Sequence, residues 1–202
     1  MKIESGVILE IELPMGFGYA YAKYVDIHLL IGRYFDSSLL KVYDFISKEP
    51  IKNIDLLKDK DLLFGPALLT GKPSVRKTGW KAVGKYLTDD DFKVPFFKSV
   101  NKFPYIVENE SLIGPWNLVT LGVSEVITPY EKIKHLEQAV LEGSDQIEAR
   151  IVMEILRRDG RDINQFYELD KVEPHIKRVY LRMINVPIYS TIPKEIRGKP
   201  IV

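Results

Sequence analysis

Apolar and polar positions change period once along this chain, near residue 128, and the change divides it into a strand-like part and a helical part. Within Gly6 to Leu13 the second half alternates as Leu9, Glu10, Ile11, Glu12, Leu13, the period-two pattern of a half-buried strand. Pro14-Met15-Gly16 supplies a turn, and Phe17 to Val25 alternates aromatic with small residues in a run rich in strand formers. Ile27 to Phe35 is almost continuously apolar until Arg33, as a strand covered on both faces would be. Three such runs joined by tight turns predict an antiparallel meander. Residues 36–46 fit a further strand or a short helix. Residues 47–61, charged and broken by Pro50, read as a loop that Ile51, Ile54, Leu56 and Leu57 would anchor. Phe64 to Thr70, Trp80 to Leu87, Tyr105 to Val107 and Trp116 to Leu121 are the other strand candidates, while Pro95 confines Val94 to Phe97 to an edge or an irregular stretch.

The helical part opens at Thr128-Pro129-Tyr130-Glu131, where an N-cap threonine, a proline at the first helical position and a glutamate three residues after the cap form a capping box. Ile133, Leu136, Val140 and Leu141 would make its apolar stripe and Gly143 its end. Ser144 caps a second helix with Ile147, Ile151, Ile155 and Leu156 on one face and Gly160 as its stop. Asp162 to Leu169 reads as a third, and Pro174 opens a fourth running to about Ile184. Pro187 to Val202 has three prolines and no period, which predicts an extended or partly mobile tail. The pattern as a whole predicts an α+β protein. An antiparallel, curved sheet or small partly open barrel occupies residues 1–127, and a helical segment with an extended tail occupies 128–202.

Composition adds mainly exclusions. Hydrophobic residues make up 46% of the chain and charged ones 28%, enough apolar content for a real core. Lys and Arg number 29 against 28 Asp and Glu, a net charge of +1, and the two parts are each balanced. That balance argues against general nucleic-acid or membrane-surface binding, which leaves a basic excess. With no cysteine, disulfides, zinc ribbons and thiol catalysis are excluded. Met1 to Ser5 lacks the apolar stretch of a signal peptide, and no apolar run nears the roughly 20 residues that span a bilayer, so a cytoplasmic protein is expected.

Candidate chemistry is sparse. His28, His135 and His175 show no metal-ligand spacing, and no G-x-S-x-G occurs. Asp89-Asp90-Asp91 lacks the glycine and spacing of a calcium loop and reads as a solvated turn. Gly65 to Lys72 fails as a phosphate loop, because five residues separate its glycines and Pro73 follows Lys72. A site built from distant carboxylates such as Asp26, Asp36 and Asp44 has no support in spacing. What stands out is the aromatic content, 11 Tyr, 9 Phe and 2 Trp. Aromatics beside cations form interface hot spots, which singles out Arg33, Tyr34, Trp80, Lys81 and Trp116 as candidate partner-binding residues.

Several of these segments resemble one family. Gly6 to Val25 is similar to the opening of the immunity protein 26 family of bacterial polymorphic toxin systems, through Glu10-Ile11-Glu12-Leu13-Pro14 and Gly18-Tyr19-Ala20-Tyr21-Ala22. Gly79 to Lys85 and Pro95-Phe96-Phe97-Lys98 resemble two later segments of that family. The resemblance covers roughly residues 5–120 and departs from the family pattern at Glu12 and at Ala22-Lys23. It implies a non-catalytic cytoplasmic protein that binds and neutralises a cognate toxin domain by surface complementarity, without cofactor or metal. The alternative reading is a nucleic-acid-binding or regulatory module that uses the basic 72–85 stretch (Lys72, Arg76, Lys77, Lys81, Lys85) around Trp80.

Overall fold

A computed structural model describes residues 3–32, 37–70, 75, 78–100 and 107–201. The alternation at the start of the chain does form strands: β1 (Val7–Leu13) turns through Pro14–Gly16 into β2 (Gly18–Asp26), antiparallel, with Leu9 opposite Ala22 and Ile11 opposite Ala20. Gly18 is needed at the turn, since its φ is +93° and a Cβ there would collide with the Ser47 backbone. The ambiguous residues 36–46 resolve as β3 (Ser37–Ser47), which pairs with β2. β4 (Ala67–Thr70) and β5 (Lys81–Lys85) flank these, giving the order β5-β1-β2-β3-β4. A sixth strand, β9 (Leu141–Glu142), adds in parallel to β4. A second antiparallel sheet joins β6 (Phe97–Val100), β7 (Trp116–Thr120) and β8 (Ser124–Ile127). Neither sheet closes into a barrel, and the architecture is α+β.

One face of the large sheet is uniformly apolar. Val7, Leu9, Ile11 and Leu13 of β1 share it with Ala20 and Ala22 of β2 and with Leu40 and Val42 of β3. The long helix Ser144–Arg158 and the helix Pro174–Ile184 cover it through Ile147, Ile151, Val152, Ile176, Val179 and Met183. The alanines leave room for the helices to approach the strands. The Ser144–Arg158 helix is buried on most of its circumference, as expected for a helix held between a sheet and a second helix.

The other face is divided. Ile8, Tyr21, Tyr43 and Leu57 form one apolar cluster under the 48–66 loop. Val25, Leu39 and Leu68 form another against Phe97, Val119 and Leu121 of the second sheet and its connection. Lys23 and Lys41 lie opposite each other across β2 and β3, between these clusters. The polar strip they create positions the site described below.

Four sequence expectations change. Ile27 to Phe35 is not a strand over its described part: His28–Ile31 is one helical turn, with Asp26 Oδ1 accepting from His28 N at 3.2 Å and Gly32 at φ +79° ending it. A short apolar run cannot separate a buried strand from a buried helical turn. The helix expected from Thr128 lasts one turn, Tyr130–Ile133, and the Thr128 hydroxyl donates to Val126 O instead of capping it. Residues 137–142 pair with strands instead, through Lys98 N to Glu137 O (2.9 Å), Ala139 N to Lys98 O (2.9 Å) and then β9. Tertiary pairing outweighs local helix preference there. The third predicted helix contracts to Asn164–Tyr167. The tail forms two 3-10 turns and packs down, with Ile192 buried and Arg197 paired to Asp61. β8 had no predicted counterpart. Of the Tyr105 to Val107 candidate, residues 105 and 106 lie outside the described residues.

Numbering these helices in chain order gives α1 (His28–Ile31), α2 (Tyr130–Ile133), α3 (Ser144–Arg158), α4 (Asn164–Tyr167) and α5 (Pro174–Ile184).

Candidate functional site

The two facing lysines would repel at cross-strand distance without a counter-ion. The 3-10 turn Asp89–Phe92 supplies it: Asp91, 2% exposed, accepts from Lys23 Nζ at 2.8 Å and from Lys41 Nζ at 2.9 Å. Lys41 also donates to the Asp90 carbonyl at 2.8 Å. The Thr88 backbone N–H and hydroxyl donate to Asp91 at 2.8 and 3.0 Å, completing the carboxylate's shell. The aspartate run is therefore not a solvated turn at Asp91. Burial alone would raise this carboxyl's pKa, but the hydrogen bonds from Lys23 and Lys41 outweigh it and hold the group below the usual carboxylate range. Burial lowers the pKa of Lys23, with Asp91 opposing. Lys23 Nζ also sits 3.9 Å from the centre of the Tyr86 ring, and the Tyr86 and Tyr43 hydroxyls share a hydrogen bond of 2.7 Å. Burial raises the pKa of both phenols, so both stay protonated at neutral pH.

Above this buried triad opens a cleft of about 570 Å³, a volume in the range of ligand pockets. Its walls are the 58–66 loop, the 88–96 segment and the tail from Tyr189 to Lys199. Eight cationic side chains line it, against the three carboxylates of Asp61, Asp90 and Asp91. Lys93 pairs with Asp90 at 2.9 Å, Lys58 with Asp55 at 2.6 Å, and Arg197 with both oxygens of Asp61 at 2.8 and 2.6 Å. Lys60, Lys194 and Lys199 are exposed and have no carboxylate partner among the described residues. On a chain of net charge +1 this is a strong local concentration of positive charge.

Two further charge networks are internal. Lys98 and Glu110, 0% and 1% exposed at their side chains, pair at 2.7 Å, with Gln138 Nε2 and Tyr130 OH donating to Glu110 at 2.5 and 3.3 Å. Arg150 on α3 bridges Glu154 at 2.8 Å and Glu137 at 3.2 Å, and Arg182 on α5 reaches Glu142 at 2.6 Å. These networks join the helices to the 137–142 segment. Among the described residues no group of three or more His, Asp or Glu side chains could hold a metal ion. Asp26 and Asp44 do not meet, since Asp26 pairs with Ser38 and Asp44 stands six residues along the strand, about 20 Å away. Asp44 pairs instead with Arg158. Asp36 lies outside the described residues.

Of the residues singled out in the sequence, the described ones do not form one surface. Trp116 is 3% exposed and donates from Nε1 to Ile113 O at 2.9 Å. Trp80 is 9% exposed and donates to Glu148 at 2.7 Å. Both rings pack into the protein's own core. Lys81 is exposed on the edge strand β5, and Arg33 and Tyr34 lie outside the described residues, as do Lys72, Arg76 and Lys77 of the basic stretch. Lys85 is tied to Glu4 at 2.7 Å. Sequence reasoning missed the cleft because its cations come from five separate segments. The one local signal was the pair of lysines at inward positions of β2 and β3.

Fold and site together define an α+β protein whose buried lysines and arginines are held in ion pairs and whose charged concavity is cationic. Residues 4–105, half of the chain, match the family described as immunity protein 26, and the protein belongs to that family. No curated protein and no solved structure matches it. Membership implies a toxin as partner in general terms. The matched region ends before β7, so Lys194, Arg197 and Lys199 reach the cleft from outside it. No helix among the described residues is long and apolar enough to cross a membrane.

Proposed function

We propose that the chain is a non-catalytic immunity protein that binds a cognate polymorphic toxin domain in the cytoplasm and neutralises it. The observation that carries this reading is the family match over residues 4–105. The internal use of charge supports it as well. Lys98, Glu110, Arg150, Glu154 and Asp91 each have counter-charges at hydrogen-bond distance, so they serve the architecture rather than a reacting centre. Such groups resemble a rigid scaffold for presenting a surface more than a set of poised acids and bases.

Co-expression tests the reading. Candidate polymorphic toxin domains from the genome that carries this gene are induced one by one in a sensitive host, with and without the chain. Restored growth, together with recovery of both proteins in one complex, is the expected result. Continued killing with the chain present at equal or higher level would refute it.

A further inference from the structure

We propose that the cationic cleft receives a carboxylate-rich segment of the protein partner; this rests on the immunity reading above. The chain as a whole gives no electrostatic signal at +1, yet eight of its cations line one concavity against three carboxylates. A concave, low-dielectric wall of one sign focuses the field and selects a partner of the opposite sign. Lys23 and Lys41 share the carboxylate Asp91, which leaves the floor positive, and Lys60, Lys194 and Lys199 add charge at the rim with no carboxylate partner among the described residues.

The lining aromatics argue for carboxylates over nucleic acid. Single strands are held by bases stacked on open ring faces. Here the Tyr86 ring is covered by Lys23 at 3.9 Å and the Tyr189 ring by Arg197 at 4.7 Å, while Tyr43 is 5% exposed. Phe96, the remaining aromatic of the lining, is half-buried against the Val100 and Trp116 cluster, so the cleft's rings are engaged by the protein itself. Its two sources also differ: Lys23, Lys41, Lys58, Lys60 and Lys93 lie in the family-matched region, whereas the tail cations lie beyond it.

Fluorescence anisotropy with a labelled octapeptide of alternating glutamate and glycine tests the cleft directly. The probe should bind the full chain and weaken at least about tenfold between low and high salt. Lys60→Glu/Lys194→Glu/Lys199→Glu should weaken it at least about thirtyfold, about 2 kcal/mol at 1.4 kcal/mol per tenfold. The control Lys48→Glu/Lys52→Glu/Lys171→Glu, exposed lysines outside the cleft lining, should leave it within about twofold. Failure to bind, equal loss in the control, or tighter binding of tripolyphosphate or a single-stranded oligonucleotide overturns the proposal. The same variants are then titrated with the toxin domain. Full affinity in the cleft variant overturns the proposal and leaves the immunity reading standing. A wild-type chain that ignores the toxin but binds the peptide in the cleft refutes the immunity reading instead, and supports the acidic-segment site.

Discussion

Lys23 and Lys41 face each other in adjacent strands, and only Asp91 makes that arrangement stable. Asp91→Asn would leave two buried ammonium groups without a counter-charge, a loss of about 3–5 kcal/mol in chemical denaturation. The pH dependence follows from the depressed pKa of Asp91. Its stabilisation is fully present above the unfolded value near 3.8 and is lost as pH falls through the lower folded value. Thermal melts of the wild type should therefore show an acid loss below about pH 4 that Asp91→Asn lacks. Lys98 and Glu110 provide a second case. Lys98→Met alone should cost about 3 kcal/mol or more, and Lys98→Met/Glu110→Gln less than the sum of the single losses, read as a double-mutant cycle. Beyond the two inward lysines, the pairing was not legible locally, because Asp91 meets partners 68 and 50 residues away. An aspartate run with no visible partner reads as a surface turn.

Elements with strong internal period were legible. β1, β2, α3 and α5 stand within a residue or two of where alternation, capping and the proline at Pro174 put them. The misread elements are those whose pairing partner decides the conformation. Residues 137–142 continue a helical stripe yet run beside β6 and β4, and Ile27 to Ile31 is apolar enough for a strand yet turns over a second sheet. The tail shows the same effect. It has no period, but His135 Nε2 donates to Lys199 O at 2.7 Å, Phe96 N to Gly198 O at 2.9 Å, and Ile192 is buried. Deleting residues 187–202 should cost about 2–4 kcal/mol, chiefly from lost apolar burial and the Arg197–Asp61 pair. Hydrogen exchange should then rise around residues 58–66 and 132–138, and little within β1 and β2. Unchanged protection at those two segments would mean the tail adds nothing to them.

For the whole molecule, charge balance hides charge placement. The near-neutral composition argued against a general polyanion-binding surface, but that average says nothing of how folding gathers lysines from β2, β3, the 58–66 loop, the 88–96 segment and the tail round one opening. The aromatic content that suggested surface anchors at Trp80 and Trp116 belongs to the core, where each indole N–H has found an acceptor. The family was visible from segments within residues 5–120 and the fold class from the change of period near residue 128, whereas the cleft required the tertiary structure. The most direct test of the account is a calorimetric titration of the purified toxin domain into the full chain, with residual toxin activity followed at each point. Saturable one-to-one binding with activity falling in proportion to the complex formed is the predicted result. A toxin that keeps its activity at saturating chain, or that gives no heat of binding at any salt concentration, would contradict it.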